Sequence, residues 1–350
     1  MTAQRFLIVR TSAIGDVVFA SPFAAALRRK YPQAHIAWLV EPGIHELLAA
    51  DPNIDELILW PKGEWKQLWQ QRRFGELLGR VRAFARLLKG KRFDTAIDLQ
   101  SLLKSGWLTW LTGAKRRIGL GSREGSQWLM TEVIAKGGDE RRISSEYLYL
   151  AEQLGLEVGD FLPQLHVATE TEARTQALLS EHGLQAGRYA VFAPFTTRPQ
   201  KHWFEDAWQA LAPRVRDELG LTPVILGGPA DQAAAERIVA GTPGVVSLAG
   251  ATRLPEAAAL IKHAALVIGV DTGLTHMGTA FARPTVALFG STRPYLDTGR
   301  RNGRVIWLGL ECSPCRRRPT CNGAYTCLRD IRPAQVLEQA RAALASQDQP

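Results

Sequence analysis

No stretch of this 350-residue chain approaches the ~18 consecutive apolar residues that span a bilayer, and the N-terminus runs into a strand pattern without the features of a signal peptide. A cytoplasmic protein is expected. Cysteine is scarce: there are four, Cys312, Cys315, Cys321 and Cys327, all in one segment near the C-terminus, whereas a secreted disulfide framework spreads them along the chain. Acidic residues number 34 against 43 basic ones, so the net charge is +9 and an anionic partner is expected, whether nucleic acid, a membrane surface or a phosphorylated substrate. No nucleic-acid module is recognisable, which argues against the first. No G-x-G-x-x-G follows the first strand, which argues against a Rossmann dehydrogenase. Internal repeats and low-complexity tracts are also missing.

What the chain does contain is 46% hydrophobic residues, enough for full cores in about two domains. Strand signals at Phe6 to Val9, His35 to Val40, Glu56 to Leu59 and Thr95 to Asp98 alternate with helix signals at Pro22 to Lys30, Phe74 to Leu88 and Ser101 to Leu111. The pattern loosens between Gly155 and Pro163, a plausible linker. It then resumes with strands at Tyr189 to Phe192, Pro223 to Leu226, Val245 to Leu248, Leu266 to Val270 and Thr285 to Phe289. Such alternation predicts two parallel-sheet α/β layers, over 1–160 and 175–330, followed by an amphipathic helix over 333–346.

Two short polar turns interrupt the apolar runs, Thr11-Ser-Ala-Ile-Gly-Asp16 and Asp271-Thr-Gly-Leu-Thr-His276. Each reads strand, glycine-containing loop, helix, a pattern that aims backbone N–H groups at a ligand above the sheet edge. Asp16 is placed to be a general base, or simply to cap a helix. In Pro194-Phe-Thr-Thr-Arg-Pro-Gln-Lys-His-Trp203, the residues Thr196, Thr197 and Lys201 suit a diphosphate, with a plain polar loop as the alternative. Thr272 and Gly273 offer amides for an anion; Asp271 and His276 are candidates for phosphate or sugar contacts, and His276 equally for a structural role. Gly227 and Gly228 either make room for a ribose or base or form a tight turn. A basic series in the first half, Lys62, Lys66, Arg72, Arg73, Lys104, Arg116, Arg117 and Arg123, is read as lying on loops, with Trp60, Trp65 and Trp69 interleaved. It suits an acceptor carrying several anionic groups, or is solvated surface.

Taken together, Thr11 to Asp16, Thr196 to Trp203 and Asp271 to His276 resemble glycosyltransferase family 9, the ADP-heptose:lipopolysaccharide heptosyltransferases, in order and spacing over nearly the whole chain. Asp98-Leu-Gln-Ser-Leu-Leu-Lys104 and Arg123-Glu124 also resemble family positions. The resemblance implies a GT-B fold, two Rossmann-like domains facing each other across a cleft. The N-terminal one would bind acceptor and carry the base, the C-terminal one would bind nucleotide-sugar, and the last helix would pack back toward the N-terminal domain. It also implies inversion at the anomeric carbon without a catalytic metal. Asp16 takes the place of the base, and Lys201 joins it in the chemistry. Thr196, Thr197, Lys201, Asp271, Thr272, Gly273 and His276 take the places of ADP-heptose contacts, and Gly227 and Gly228 are added to that donor set. Lys104 and Arg123 take acceptor positions, to which Ser12 and Lys62 are added.

One departure is Ala13, where some members carry a second serine. The expected acceptor is inner-core lipopolysaccharide, Kdo or heptose, met at the anionic face of the inner membrane. Transfer to a protein hydroxyl and a nucleotide-binding module without activity are the alternatives.

The cysteine cluster, set among Arg316, Arg317, Arg318 and Arg329, has a donor set for a structural zinc or iron. Two local disulfides or free thiols are the other readings. A four-thiolate site is closed, so it has no place in catalysis.

Overall fold

Parallel strands that are covered on both faces read as unbroken apolar runs, and the Val-, Ile- and Leu-rich segments of this chain become such strands in the computed structural model, which describes residues 4–316 and 318–346. Arg317 lies outside the described residues. The chain divides into two compact units, one of residues 1–140 and 144–162, the other of 141–143 and 163–350.

The first unit holds β1 (Arg5–Val9), β2 (His35–Val40), β3 (Glu56–Leu59), β4 (Thr95–Asp98), β5 (Arg116–Leu120) and β6 (Glu132–Ile134) in the spatial order β3-β2-β1-β4-β5-β6. The second holds β7 (Tyr189–Ala193), β8 (Thr222–Ile225), β9 (Val246–Ser247), β10 (Leu266–Val270), β11 (Thr285–Phe289) and β12 (Gly303–Trp307) in the order β12-β11-β10-β7-β8-β9. Every pairing is parallel. Each sheet therefore winds outward from its middle in both directions, the doubly wound order of a Rossmann-like domain. In such sheets the loops that leave the two middle strands diverge and open a crevice at their carboxyl ends. Those strands are β1 and β4 in the first unit, with Val9 opposite Asp98, and β7 and β10 in the second, with Ala193 opposite Gly269.

Gly269 shows why the second crevice needs a small residue. A Cβ there would come within 2.1 Å of Thr275 Oγ1 and 2.7 Å of Ala193 Cβ. Glycine lets the following helix, Gly273–Ala280, close down on the sheet, and Thr275 Oγ1 ties it there by donating to Val270 O at 2.7 Å.

One expectation is corrected. Lys62 and Lys66 lie on a helix, Lys62–Gln70, Lys104 opens the helix Leu103–Leu111, and Arg116 and Arg117 open β5, so five of the eight residues of the basic series sit on regular elements rather than loops. The last helix, Pro333–Ala345, buries Val336, Leu337, Ala340 and Ala343 in the core of the second unit, against the helix Glu205–Leu219 and β11. Its apolar stripe, spaced one and then three residues apart, is used there.

Candidate active site

In the first unit, the turn after β1 carries Asp16 into the first turn of the helix Ile14–Ala20. The capping reading of Asp16 is realised, and the carboxylate keeps a second contact. Ala13 N–H donates to Asp16 Oδ2 at 3.2 Å, a capping contact, while Arg10 Nη2 lies 2.5 Å from the same oxygen. The Asp16 side chain remains 46% exposed, so it is restrained yet open to an incoming hydroxyl. Arg10 is buried, which opposes its charge, but Tyr147, Asp16, Glu146 and Asp98 together raise its pKa, so it stays cationic.

The turn after β4 completes this crevice. Gln100 Oε1 accepts from the Thr11 amide at 3.0 Å and from Thr11 Oγ1 at 2.8 Å, stitching the two middle-strand loops together. Beneath them the buried Asp98 accepts from the Gln100 amide, the Ser101 amide and Ser105 Oγ at 2.9, 3.2 and 3.0 Å. Burial outweighs these donors and pushes the Asp98 carboxyl up to about 6.

Two of the acceptor candidates converge. Lys62 Nζ stands 5.7 Å and Lys104 Nζ 6.0 Å from the centre of the Trp60 ring, two ammonium groups on one indole. Lys62 also pairs with Glu41 at 2.9 Å. Burial first, and then the Lys62 charge, lower the pKa of Lys104; Arg10 acts on it in the same sense, and Glu41 and Glu124 oppose. Ser12 lies in the Asp16 turn. Arg123 is exposed beyond β5, its amide donating to Ser101 O at 3.2 Å.

In the second unit the loop after β7 delivers Lys201, and the loop after β10 delivers Asp271. They meet at 2.8 Å, each 17% exposed. Asp271 is a hub: its Oδ2 also accepts from Thr292 Oγ1 at 2.6 Å, and its Oδ1 lies 3.1 Å from His276 Nε2. Burial pushes the Asp271 carboxyl up, but the hydrogen bond and charge of His276 and the charge of Lys201 overcome it and hold the group well below the usual carboxylate range. His276 Nδ1 is in turn 2.9 Å from the hydroxyl of the buried Tyr295. Asp271 therefore spends its oxygens on Lys201, His276 and Thr292, and since His276 is buried with both ring nitrogens engaged, its structural reading is the one realised and Lys201 is the group of the cluster that can face an anion.

Thr272 holds the N-cap position of the helix Gly273–Ala280 in extended conformation without a side-chain cap, so the first helical amides keep their donors unspent within the helix. Thr196 is half-buried and Thr197 exposed; their loop is braced by His202 Nε2, 2.7 Å from Thr196 O. At Gly227 and Gly228 the turn reading is realised, since the Gly228 amide donates to Asp231 Oδ2 at 2.8 Å. A Cβ at Gly227 would lie 2.7 Å from Phe195 Cδ2.

The functional partners that residue-by-residue reading missed are Arg10, Thr292 and Tyr295. Thr292 had a signal: Gly290-Ser-Thr292 follows β11 in the same strand, glycine, hydroxyl pattern as the quoted turns.

The four cysteines are free, Cys312 exposed and Cys327 buried. Burial and then the neighbouring thiols push Cys327 up to about 11, and Cys315 is raised for the same reasons. Among the described residues no group of three or more His, Cys, Asp or Glu side chains is set to hold a metal ion. No described helix is long and apolar enough to cross a membrane.

Residues 81–326 match glycosyltransferase family 9 (heptosyltransferase). Lipopolysaccharide heptosyltransferase 1 of Pseudomonas aeruginosa is 31% identical over 91% of this chain and 87% of its own length. Lipopolysaccharide heptosyltransferase 2 of Escherichia coli is 27% identical over 99% of this chain and all of its own. Among solved structures, the E. coli heptosyltransferase WaaC with ADP-2-deoxy-2-fluoro heptose superposes with a TM-score of 0.74 at 25% identity, covering 96% of this chain and 99% of that one. Two doubly wound sheets with polar loops at their switch points are thus the GT-B architecture, and the chain belongs to glycosyltransferase family 9 as a glycosyltransferase of heptosyltransferase type.

Proposed function

We propose that this enzyme moves L-glycero-D-manno-heptose from ADP-heptose to an inner-core lipopolysaccharide acceptor, Kdo or heptose, at the cytoplasmic face of the inner membrane, with inversion at the anomeric carbon. The observation that carries the reading is the Lys201, Asp271 and His276 cluster at the switch point of a nucleotide-binding type of sheet. The acceptor hydroxyl loses its proton to Asp16 as its oxygen bonds to C1. The bond from C1 to the diphosphate oxygen breaks, and its electron pair leaves with ADP, where Lys201 and the amides at Thr272 and Gly273 meet the growing charge. Thr196, Thr197, Gly227 and Gly228 complete the donor site, with Asp271 setting the orientation of Lys201 and His276. Ser12, Lys62, Lys104 and Arg123 receive the anionic acceptor.

A panel of nucleotide-sugars and acceptors read by mass spectrometry tests this. ADP-heptose with a Kdo-bearing acceptor is expected to give one added heptose, and NMR of the new linkage the inverted anomer. Transfer only to protein, or tight ADP binding without sugar consumption, would overturn it.

The cysteines enter the proposal as a structural pin outside the chemistry, because four thiols provide the donor set of a closed zinc or iron site. Metal analysis of protein purified without chelator is expected to find zinc or iron that is lost in Cys312→Ser/Cys315→Ser, while EDTA in the assay leaves wild-type turnover unchanged. Metal-free wild-type protein of normal stability removes the pin, and turnover that collapses in EDTA removes metal-independent catalysis.

A further inference from the structure

The charge of this protein is concentrated in one place. Between Lys62 and Arg92 there are ten Lys and Arg residues against two Glu, a net +8 of the chain's +9. Both glutamates are already committed, Glu64 to Arg80 at 2.9 Å and Glu76 to Arg73 at 2.6 Å. Lys66, Arg72, Arg82, Arg86, Lys89 and Arg92 have no ion-pair partner among the described residues.

The same segment carries large apolar side chains in water. The helices Lys62–Gln70 and Phe74–Gly90 pack together and turn Trp65, Phe84 and Leu88 into the core of the first unit, with Leu77 and Val81 against it. Outside that stripe Trp69 is 63% exposed, Phe74 51%, Leu78 48% and Leu87 47%. Phe74, Leu78, Arg82 and Arg86 are spaced four residues apart, which places them on one ridge of the longer helix. Trp69 extends the apolar end of that ridge, its ring meeting Phe74 edge to face at 5.2 Å.

We propose that this ridge is a docking surface for an anionic phospholipid leaflet, with Phe74, Leu78 and Trp69 entering the headgroup layer and Arg82, Arg86 and Lys89 lying on the phosphates. A lipid surface is the partner that satisfies both halves of the ridge, since it presents a plane of negative charge above hydrocarbon. A nucleic-acid backbone would answer the arginines and leave Leu78 and Leu87 in water. The inference rests on the reading of a lipid-anchored acceptor, for which a surface-bound enzyme meets its substrate in two dimensions.

The test is co-sedimentation of the full chain with vesicles of phosphatidylethanolamine and phosphatidylglycerol, beside vesicles of phosphatidylcholine alone, and transfer to a water-soluble, lipid-free acceptor measured in parallel. Wild type is expected to bind the anionic vesicles, to release as salt rises, and to ignore phosphatidylcholine. Arg82→Gln/Arg86→Gln/Lys89→Gln is expected to lose on the order of 100-fold in vesicle affinity, ~1 kcal/mol per removed charge at about 1.4 kcal/mol per tenfold. Phe74→Ser/Leu78→Ser, which keeps every charge, is expected to lose about tenfold or more. Both should keep wild-type turnover on the soluble acceptor. Vesicle binding that neither variant weakens, no wild-type binding, or equal losses on soluble and vesicle-borne acceptor would each overturn the surface. A wild type that binds vesicles but transfers nothing would instead sink the transferase reading and leave the surface standing.

Discussion

Asp16→Asn is expected to lower kcat by about 10²- to 10⁴-fold while the KM for ADP-heptose moves little, because the substitution removes a proton acceptor and leaves the donor loops of the other unit untouched. Asparagine is the informative replacement. Its side-chain oxygen can still accept from the Ala13 amide, so the turn keeps its cap, and a fold-level explanation for lost activity becomes testable by thermal unfolding. Glutamate at the same position would retain the base but move its oxygens along the helix, away from the 2.5 Å contact that Arg10 makes with Asp16. Partial recovery in Asp16→Glu would point to proton transfer, not to capping. If Asp16→Asn turned over within a few-fold of wild type, the carboxylate would be only a cap and the base would lie elsewhere.

The loops that carry the candidate residues of each unit were readable because their residues break a buried apolar run. Phe6 to Val9 and Leu266 to Val270 can only be covered strands, and the polar residues immediately after them must sit at a sheet edge. What escaped reading was either peripheral or weakly amphipathic. β6 and β12 are the outermost strands of their sheets and are only partly buried, while β5 opens on Arg116 and Arg117, so none presents a clean apolar run. The helix Lys62–Gln70 buries just Trp65 and Leu68, and Thr169–Glu181 just Thr175 and Leu179, too few for a period to stand out.

Site chemistry was legible by residue type and less so by role. Asp271 looked like a ligand contact, yet its oxygens are taken up by Lys201, His276 and Thr292, residues 5 to 70 positions away in sequence. Such pairing follows from the strand order β10-β7, which joins loops that sequence separates. Arg10 escaped for a related reason: what sets it apart is its contact with Asp16, and a basic residue just past the end of a middle strand carries no mark of that.

The pairing of Lys201 with Asp271 leads to the other large expected effect. Lys201→Met should cost about 10²- to 10³-fold in kcat, the scale for deleting one charged group aimed at a developing anion, and should raise the KM for ADP-heptose because the same ammonium meets the ground-state diphosphate. Asp271→Ala should be nearly as damaging to turnover, and it should also destabilise the fold by about 3 to 5 kcal/mol, since it strands a largely buried ammonium without its carboxylate. Removing both should cost less than the two losses added together, because the double variant leaves no charge unpaired.

Acid titration separates the positioning role from a passive one. The folded pKa of Asp271 lies below its unfolded value of 3.8, so its stabilisation is fully present above about pH 4 and drains away as pH falls through the folded value. Thermal unfolding followed downward from neutral pH should therefore show the gap between wild type and Asp271→Ala narrowing only on the acid side of about pH 4. A gap that stayed constant into strong acid, or single losses that added without remainder in the double variant, would mean that Asp271 and Lys201 act independently. Lys201 would then have to be oriented by its own loop alone.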